Sequence, residues 1–136
     1  MEQLERAFAT QPHAMQHPGL LHLYIHLMEM SPFPERALKA AEALRDLVPD
    51  AGHLIHMPTH IDLLCGDYQN VVRWNSAAVA ADLKYYEREG AYNIYTGYRQ
   101  HNYHFIIYGA MFLGQYAPAV KAAREMWDTT PEAMLR

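Results

Sequence analysis

Three short stretches of this chain carry histidines at helical spacing: His22, His26 and Glu29; His53, His56 and His60; His101, His104 and Tyr108. At 3.6 residues per turn, offsets of three, four and seven fall within an arc of about 60°. Each stretch would therefore present one narrow stripe on a helix. Two imidazoles at i and i+4 can share a metal ion. His22, His26 and Glu29 offer two ring nitrogens and a carboxylate, a mixed set that suits Zn, Fe, Ni or Cu better than Mg or Ca. The ligand candidates are His22, His26, Glu29, His53, His56, His60, His101 and His104. A bound metal lowers the pKa of a coordinated water and supplies a hydroxide nucleophile near neutral pH, so hydrolase-type chemistry on a small-molecule substrate is within reach. Glu29 would serve as ligand or general base, and Tyr108 as proton donor or substrate contact.

Other chemistries fit less well. The sequence has no His-Glu-x-x-His, so a helical metalloprotease is not supported. Carboxylate-rich di-iron bundles take several Glu residues, whereas only Glu29 lies on a stripe and Asp62 sits about 200° round from His60. One cysteine, Cys65, excludes an internal disulfide and a Cys-rich zinc site. Neither Cys65 nor Ser31 or Ser76 sits in a nucleophile motif. His13 and His17 stand off the stripes and read as ordinary satisfied side chains. Asn75 occupies a slot filled elsewhere by alanine; it either holds a ligand histidine from behind or caps a loop. Tyr85, Tyr86, Tyr92, Tyr95 and Tyr98 read as packing with hydroxyls at the edge, with a lid or stacking surface as the alternative.

The elements that must position these stripes follow from an internal repeat. Ser31-Pro32-Phe33-Pro34, Gly66-Asp67-Tyr68 and Gly114-Gln115-Tyr116 each interrupt a helical pattern that resumes with small residues, and Pro32 and Gly66 lie 34 positions apart. That is the tetratricopeptide period. Gly66 and Gly114 are 48 apart, which places an insertion of about 14 residues in the Tyr-rich piece 84–99. The reading is a single all-helical domain over 1–136, with helix pairs at about 19–30 with 34–47, 53–65 with 67–87, and 100–113 with 116–128. An N-terminal helix over Glu2–Thr10 precedes them, and residues 90–97 form a loop. Asp67 is a good N-cap, and the prolines after Ser31 and Thr130 suit a first helical turn. Pro58 falls inside the second stripe. Either the helix starts there or it kinks, and in both cases His53 is expected to leave the stripe. In this register His22, His56 and His104 are equivalent, as are His26, His60 and Tyr108. Stacked repeats would set the stripes side by side along a concave face.

Bulk properties set the remaining bounds. With 51% hydrophobic residues and a formal charge of −4, the chain can bury a core and lacks the basic stripe that nucleic acid requires. Its apolar runs are too short for a bilayer and its start carries no secretory pattern, so a cytoplasmic protein is expected. Pro131 to Arg136 begins a further helix, and both ends read as cut from a longer array. Uncapped solenoid ends leave apolar surface exposed, so a homo-oligomer or a neighbouring repeat segment is expected.

The segments His17-Pro18-Gly19-Leu20-Leu21-His22-Leu23-Tyr24-Ile25-His26, His53-Leu54-Ile55-His56-Met57-Pro58-Thr59-His60-Ile61 and Tyr98-Arg99-Gln100-His101-Asn102-Tyr103-His104-Phe105 together resemble the histidine-rich bacterial tetratricopeptide-repeat proteins. The resemblance covers most of the chain. It implies a right-handed solenoid of about three helix hairpins and, by habit of the superfamily, protein–protein interaction; it implies no reaction. Two functions stand side by side: a groove that binds a transition metal, and a noncatalytic scaffold that takes a protein or peptide against a structural histidine ladder.

Overall fold

The computed structural model describes residues 1–134, and all regular structure among them is helical. Helix α1 (Glu2–Thr10) leads through a short 3-10 turn to α2 (Pro18–Glu29). His17 caps α2: its Nδ1 accepts the Leu20 N–H at 3.2 Å, and Pro18 takes the first position, where a missing N–H costs nothing. Helix α2 buries Leu21, Tyr24, Ile25 and Met28, the i, i+3, i+4, i+7 face. Placing that face inward turns His22, His26 and Glu29 onto the adjoining one, half-buried.

The second helix of this pair is shorter than the spacing predicts. Pro34–Ala37 is 3-10 and only α3 (Leu38–Leu44) is α-helical. The N–H groups of Arg45 and Leu47 then reach back three residues, to Glu42 and Leu44, which unwinds the end. Ser31 does not start this helix; its hydroxyl donates to the Met28 carbonyl and so finishes α2.

Pro58 divides the next helix. Helices α4 (Gly52–His56) and α5 (Pro58–Cys65) meet at Met57, which keeps helical dihedrals. Without an N–H on Pro58 the Leu54 carbonyl loses its normal i+4 partner, and the axis breaks there. Met57 and Ile61 complete a core with Leu21, Ile25, Met28, Ala41 and Leu44, against which Leu4 and Phe8 of α1 also pack. Truncating one such residue, Leu21→Ala, would cost about 2–5 kcal/mol.

Helix α6 (Tyr68–Glu89) starts at Asp67, whose Oδ1 accepts the Asn70 N–H at 3.1 Å, and runs into the inserted segment. Helix α7 (Tyr95–Phe112) begins about one turn earlier than the expected boundary near 100, so the loop spans 90–94 and not 90–97. The cause is local: Asn93 Oδ1 accepts the Tyr95 N–H at 3.0 Å and the Thr96 hydroxyl ties back to the Ala91 carbonyl. Helix α8 (Tyr116–Asp128) follows, and residues Glu132–Met134 form a 3-10 turn where a further helix was expected to begin. The last two residues of that expected helix lie outside the described residues.

The chain leaves α5 through Gly66 (φ 83°) and α7 through Gly114 (φ 68°), the two positions the repeat register equates. Both turns close with the same 2.8 Å bond spanning five residues, Asp67 N–H to Asp62 O and Gln115 N–H to Ala110 O. The main helix contacts join neighbours in sequence: α2, α3 and α5 form one group, α4 and α5 lie on α6, and α6, α7 and α8 pack in turn. Val79, Tyr103, Ile106 and Ala122 form the second core. Gly109 lets α7 approach α6, since a Cβ there would press on Val71 and Val72.

Buried polar pairs tie these layers. Arg45 reaches Asp62 at 2.7 Å, which confirms that Asp62 faces away from the histidines. Asn102 Nδ2 donates to Asp82 Oδ2 at 2.8 Å, and Arg99 donates to the Thr129 carbonyl with its guanidinium over the Tyr86 ring. Among the described residues no helix is long and apolar enough to cross a membrane.

Candidate metal centre

Six of the nine histidines gather into two triads: His22, His26 and His53; His56, His60 and His101. In each triad one ring nitrogen per residue lies within 4.8 Å of the others. The sequence spacing implies three stripes, one per helix. The observed groups cross helices instead, because the break at Met57 splits the middle stripe. His53 on α4 joins the two histidines of α2, its Nε2 lying 3.2 Å from that of His22. His56 and His60 turn toward α7 and meet His101, with ring centroids 4.7 and 5.8 Å from it. His53 therefore leaves the stripe of His56 and His60, as Pro58 implies, and joins the rings of α2.

In the triad of buried His56, half-buried His60 and exposed His101, the first two rings are held by defined outer contacts. His56 is fully buried and its Nδ1 lies 2.6 Å from Asn75 Oδ1. Asn75 commits its amide to Thr59 Oγ1 at 2.9 Å and the Val71 carbonyl at 2.8 Å, which fixes Oδ1 as the acceptor toward His56. Thr59 in turn donates to the His56 carbonyl at 2.7 Å. Of the two roles the sequence left open for Asn75, contact with a histidine ring is the one observed. Glu29 serves two rings: Oε1 lies 2.7 Å from His26 Nδ1 and Oε2 lies 2.5 Å from His60 Nδ1. Each Nδ1 that faces an acceptor carries the proton, leaving Nε2 with its lone pair.

His56 Nε2 and His60 Nε2 lie 2.8 Å apart. With Nδ1–H on both rings, two lone pairs confront each other, and neutral imidazoles do not hold that approach without a proton or a cation between them. Burial works against the proton. It sets the His56 pKa well below its ordinary value, and it holds His60 at about 4 despite the opposing pull of Glu29. Burial likewise lowers His53 to about 4, with the neighbouring histidines adding to the shift, and lowers His22 and His101. Tetrahedral ligands about 2.0–2.1 Å from an ion stand about 3.3–3.4 Å apart, so the pair needs to open by only about half an ångström to seat one.

The remaining candidates fall elsewhere. His104 is exposed and belongs to neither triad among the described residues; one turn earlier on α7, His101 takes the place the register gave it. Tyr108 stands 6.5 Å from His104 and 5.0 Å from Phe112, ring to ring, and is 44% exposed. His13 contacts Gln16 and His17 caps α2. Two aromatic side chains border the histidines: Phe105, given no role by the sequence reading, and Tyr98, read there as packing. Phe105 meets His56, His60 and His101 with centroids 4.7–4.8 Å away. Tyr98 packs on His53 at 4.6 Å and links through Tyr95 to Tyr85. Phe105 lies four residues after His101, a spacing that could have pointed to it. Tyr98 sits three before His101, but the early start of α7 concealed its helical setting. No family model matches the chain, nor does any curated protein or solved structure.

Proposed function

We propose that this chain is a tetratricopeptide-like, right-handed helical-repeat protein whose histidine-lined groove binds a transition-metal ion, with His56, His60 and His101 as the principal ligands. The repeat reading draws support from the matched turns at Gly66 and Gly114 and from the neighbour-to-neighbour packing of the helix groups. The metal reading is carried by one observation: the Nε2 atoms of His56 and His60 converge at 2.8 Å while acceptors face both Nδ1 atoms. Three neutral imidazoles suit Zn, Cu, Ni or Fe. Three protein ligands also leave a coordination position for water or substrate, as in catalytic and not structural zinc sites. Such an ion supplies Lewis acidity, which favours hydrolase-type chemistry. Asn75 and Glu29 orient the ligand rings.

A second reading, a noncatalytic binding scaffold, has its own support. Leu23, Leu27 and Met30 on and just past α2, and Met111 and Phe112 on α7, are all exposed. Exposed apolar residues of this kind suit a protein or peptide partner. Elemental analysis of protein purified without a histidine tag separates the two. The metal reading predicts stoichiometric zinc, copper, nickel or iron that falls away in His56→Ala combined with His101→Ala. Substoichiometric metal after incubation with each ion in turn would favour the scaffold.

A further inference from the structure

The second triad shares the close ring approach of the first, without acceptors among the described residues on the Nδ1 atoms of His22 and His53. His22 Nε2 and His53 Nε2 face each other at 3.2 Å, close to the separation of two ligands on one tetrahedral ion. His26 completes the set with one ring nitrogen within 4.8 Å of the others, and its Nδ1 meets Glu29. The triads are also joined. A single carboxylate, Glu29, supports one ring from each, His26 through Oε1 and His60 through Oε2. Rings on either side of the boundary are neighbours: His53 and His56 stand 6.2 Å apart and His26 and His60 6.4 Å, centroid to centroid.

We propose that the two triads form one two-ion centre, linked through Glu29, that takes a small oxyanion of the phosphate or carboxylate class across its two ions. This rests on the metal-binding reading of the His56 triad and extends it to His22, His26 and His53. Charge dictates the ligand class. Six neutral imidazoles and one carboxylate leave two divalent ions with three uncompensated positive charges in a partly desolvated groove, and an anion bound between them supplies the balance. Tyr98 lies against His53 and Phe105 against the other triad, and neither contributes charge. Glu29 makes the two halves interdependent: Glu29→Gln keeps one acceptor oxygen for one ring but turns an amide N–H toward the other ring's Nδ1–H.

Cobalt(II) titration of the untagged chain against a chromophoric chelator tests this, with inorganic phosphate as the oxyanion probe. The wild-type chain should bind two Co(II). His22→Ala, at a half-buried position, should bind one and retain helical circular dichroism. Phosphate should alter the visible spectrum of the two-ion form more than that of His22→Ala, and Glu29→Gln should weaken uptake of the second ion by tenfold or more. A wild-type chain that binds one ion, with His22→Ala unchanged, overturns the two-ion centre and leaves the His56 triad standing. A chain that binds none overturns both. An independent readout needs no variant: copper(II) at two equivalents should lose paramagnetic resonance intensity through coupling of neighbouring ions, and full, additive intensity contradicts the linked centre.

Discussion

The two triads use the same residue type in different surroundings. His56 is fully buried, and its group has a carboxylate on His60, an amide oxygen on His56 and the Phe105 ring against all three members. His22, His26 and His53 are half-buried, and the carboxylate supports only His26. Outer-layer acceptors choose the tautomer before any ligand arrives, so two rings of the first group, His56 and His60, are pre-oriented while exposed His101 is not, against one ring, His26, of the second. The comparison separates having ligands from having them fixed, and it predicts that the His56 triad binds its ion more tightly.

The largest expected effect is that of His56→Ala. It removes a ligand and strands the Asn75 oxygen in the interior, so affinity for zinc at that triad should fall at least about 100-fold and the apo fold should lose about 2–4 kcal/mol. Paired metal titration and urea unfolding measure both. Equal losses from His22→Ala would erase the distinction between the triads. Asn75→Ala should cost about 10–100-fold in affinity, the usual range for a lost supporting contact. His56 would keep its lone pair but lose its orientation. Affinity at the His22 triad should not move, and a parallel loss there would show that Asn75 acts on the fold as a whole.

Acid should weaken the apo protein. His53 and His60 titrate at about 4 when folded, while unfolded histidines take up protons near 6.5. Their contribution is fully present above about pH 6.5 and is lost as pH falls toward 4, because the unfolded chain then binds more protons. Asp82, raised by burial to about 6, and Asp62, also raised, act with the opposite sign. Five lowered histidines outnumber these two carboxyls, so the net effect should be a loss of stability with acid. Thermal melting between pH 7 and 4.5 reads it, and a saturating metal should steepen the loss. A flat profile would mean that the rings are not neutral in the fold. The smallest effects belong to His104→Ala and Tyr108→Phe, at exposed positions. Each should change stability by less than about 0.5 kcal/mol and leave metal uptake intact.

Much of this arrangement is legible in the residues themselves. The helical class follows from spacing, the turns at Gly66 and Gly114 from glycine and its followers, and the importance of His22, His26, His56 and His60 from their offsets. What spacing alone misses is how the rings are partitioned. Spacing assigns one stripe to each helix, but Pro58 breaks the middle helix and sends His53 one way and His56 with His60 the other. Likewise, register equates His104 with His56, whereas α7 begins early and presents His101, one turn back. Side-chain anchors such as Asn93 and Thr96 decide that boundary, and no hydrophobic period reports them. The pairing of Glu29 with two different helices is tertiary and has no local signal.

The central claim is that the Nε2 pair of His56 and His60 exists to hold a cation. Crystals of the untagged chain loaded with one equivalent of zinc, with data collected on both sides of the zinc edge, test it most directly. An anomalous peak about 2.0–2.1 Å from His56 Nε2 and His60 Nε2, with His101 as third ligand, is the predicted result. A peak elsewhere, or zinc in solution and none between these rings, would contradict it.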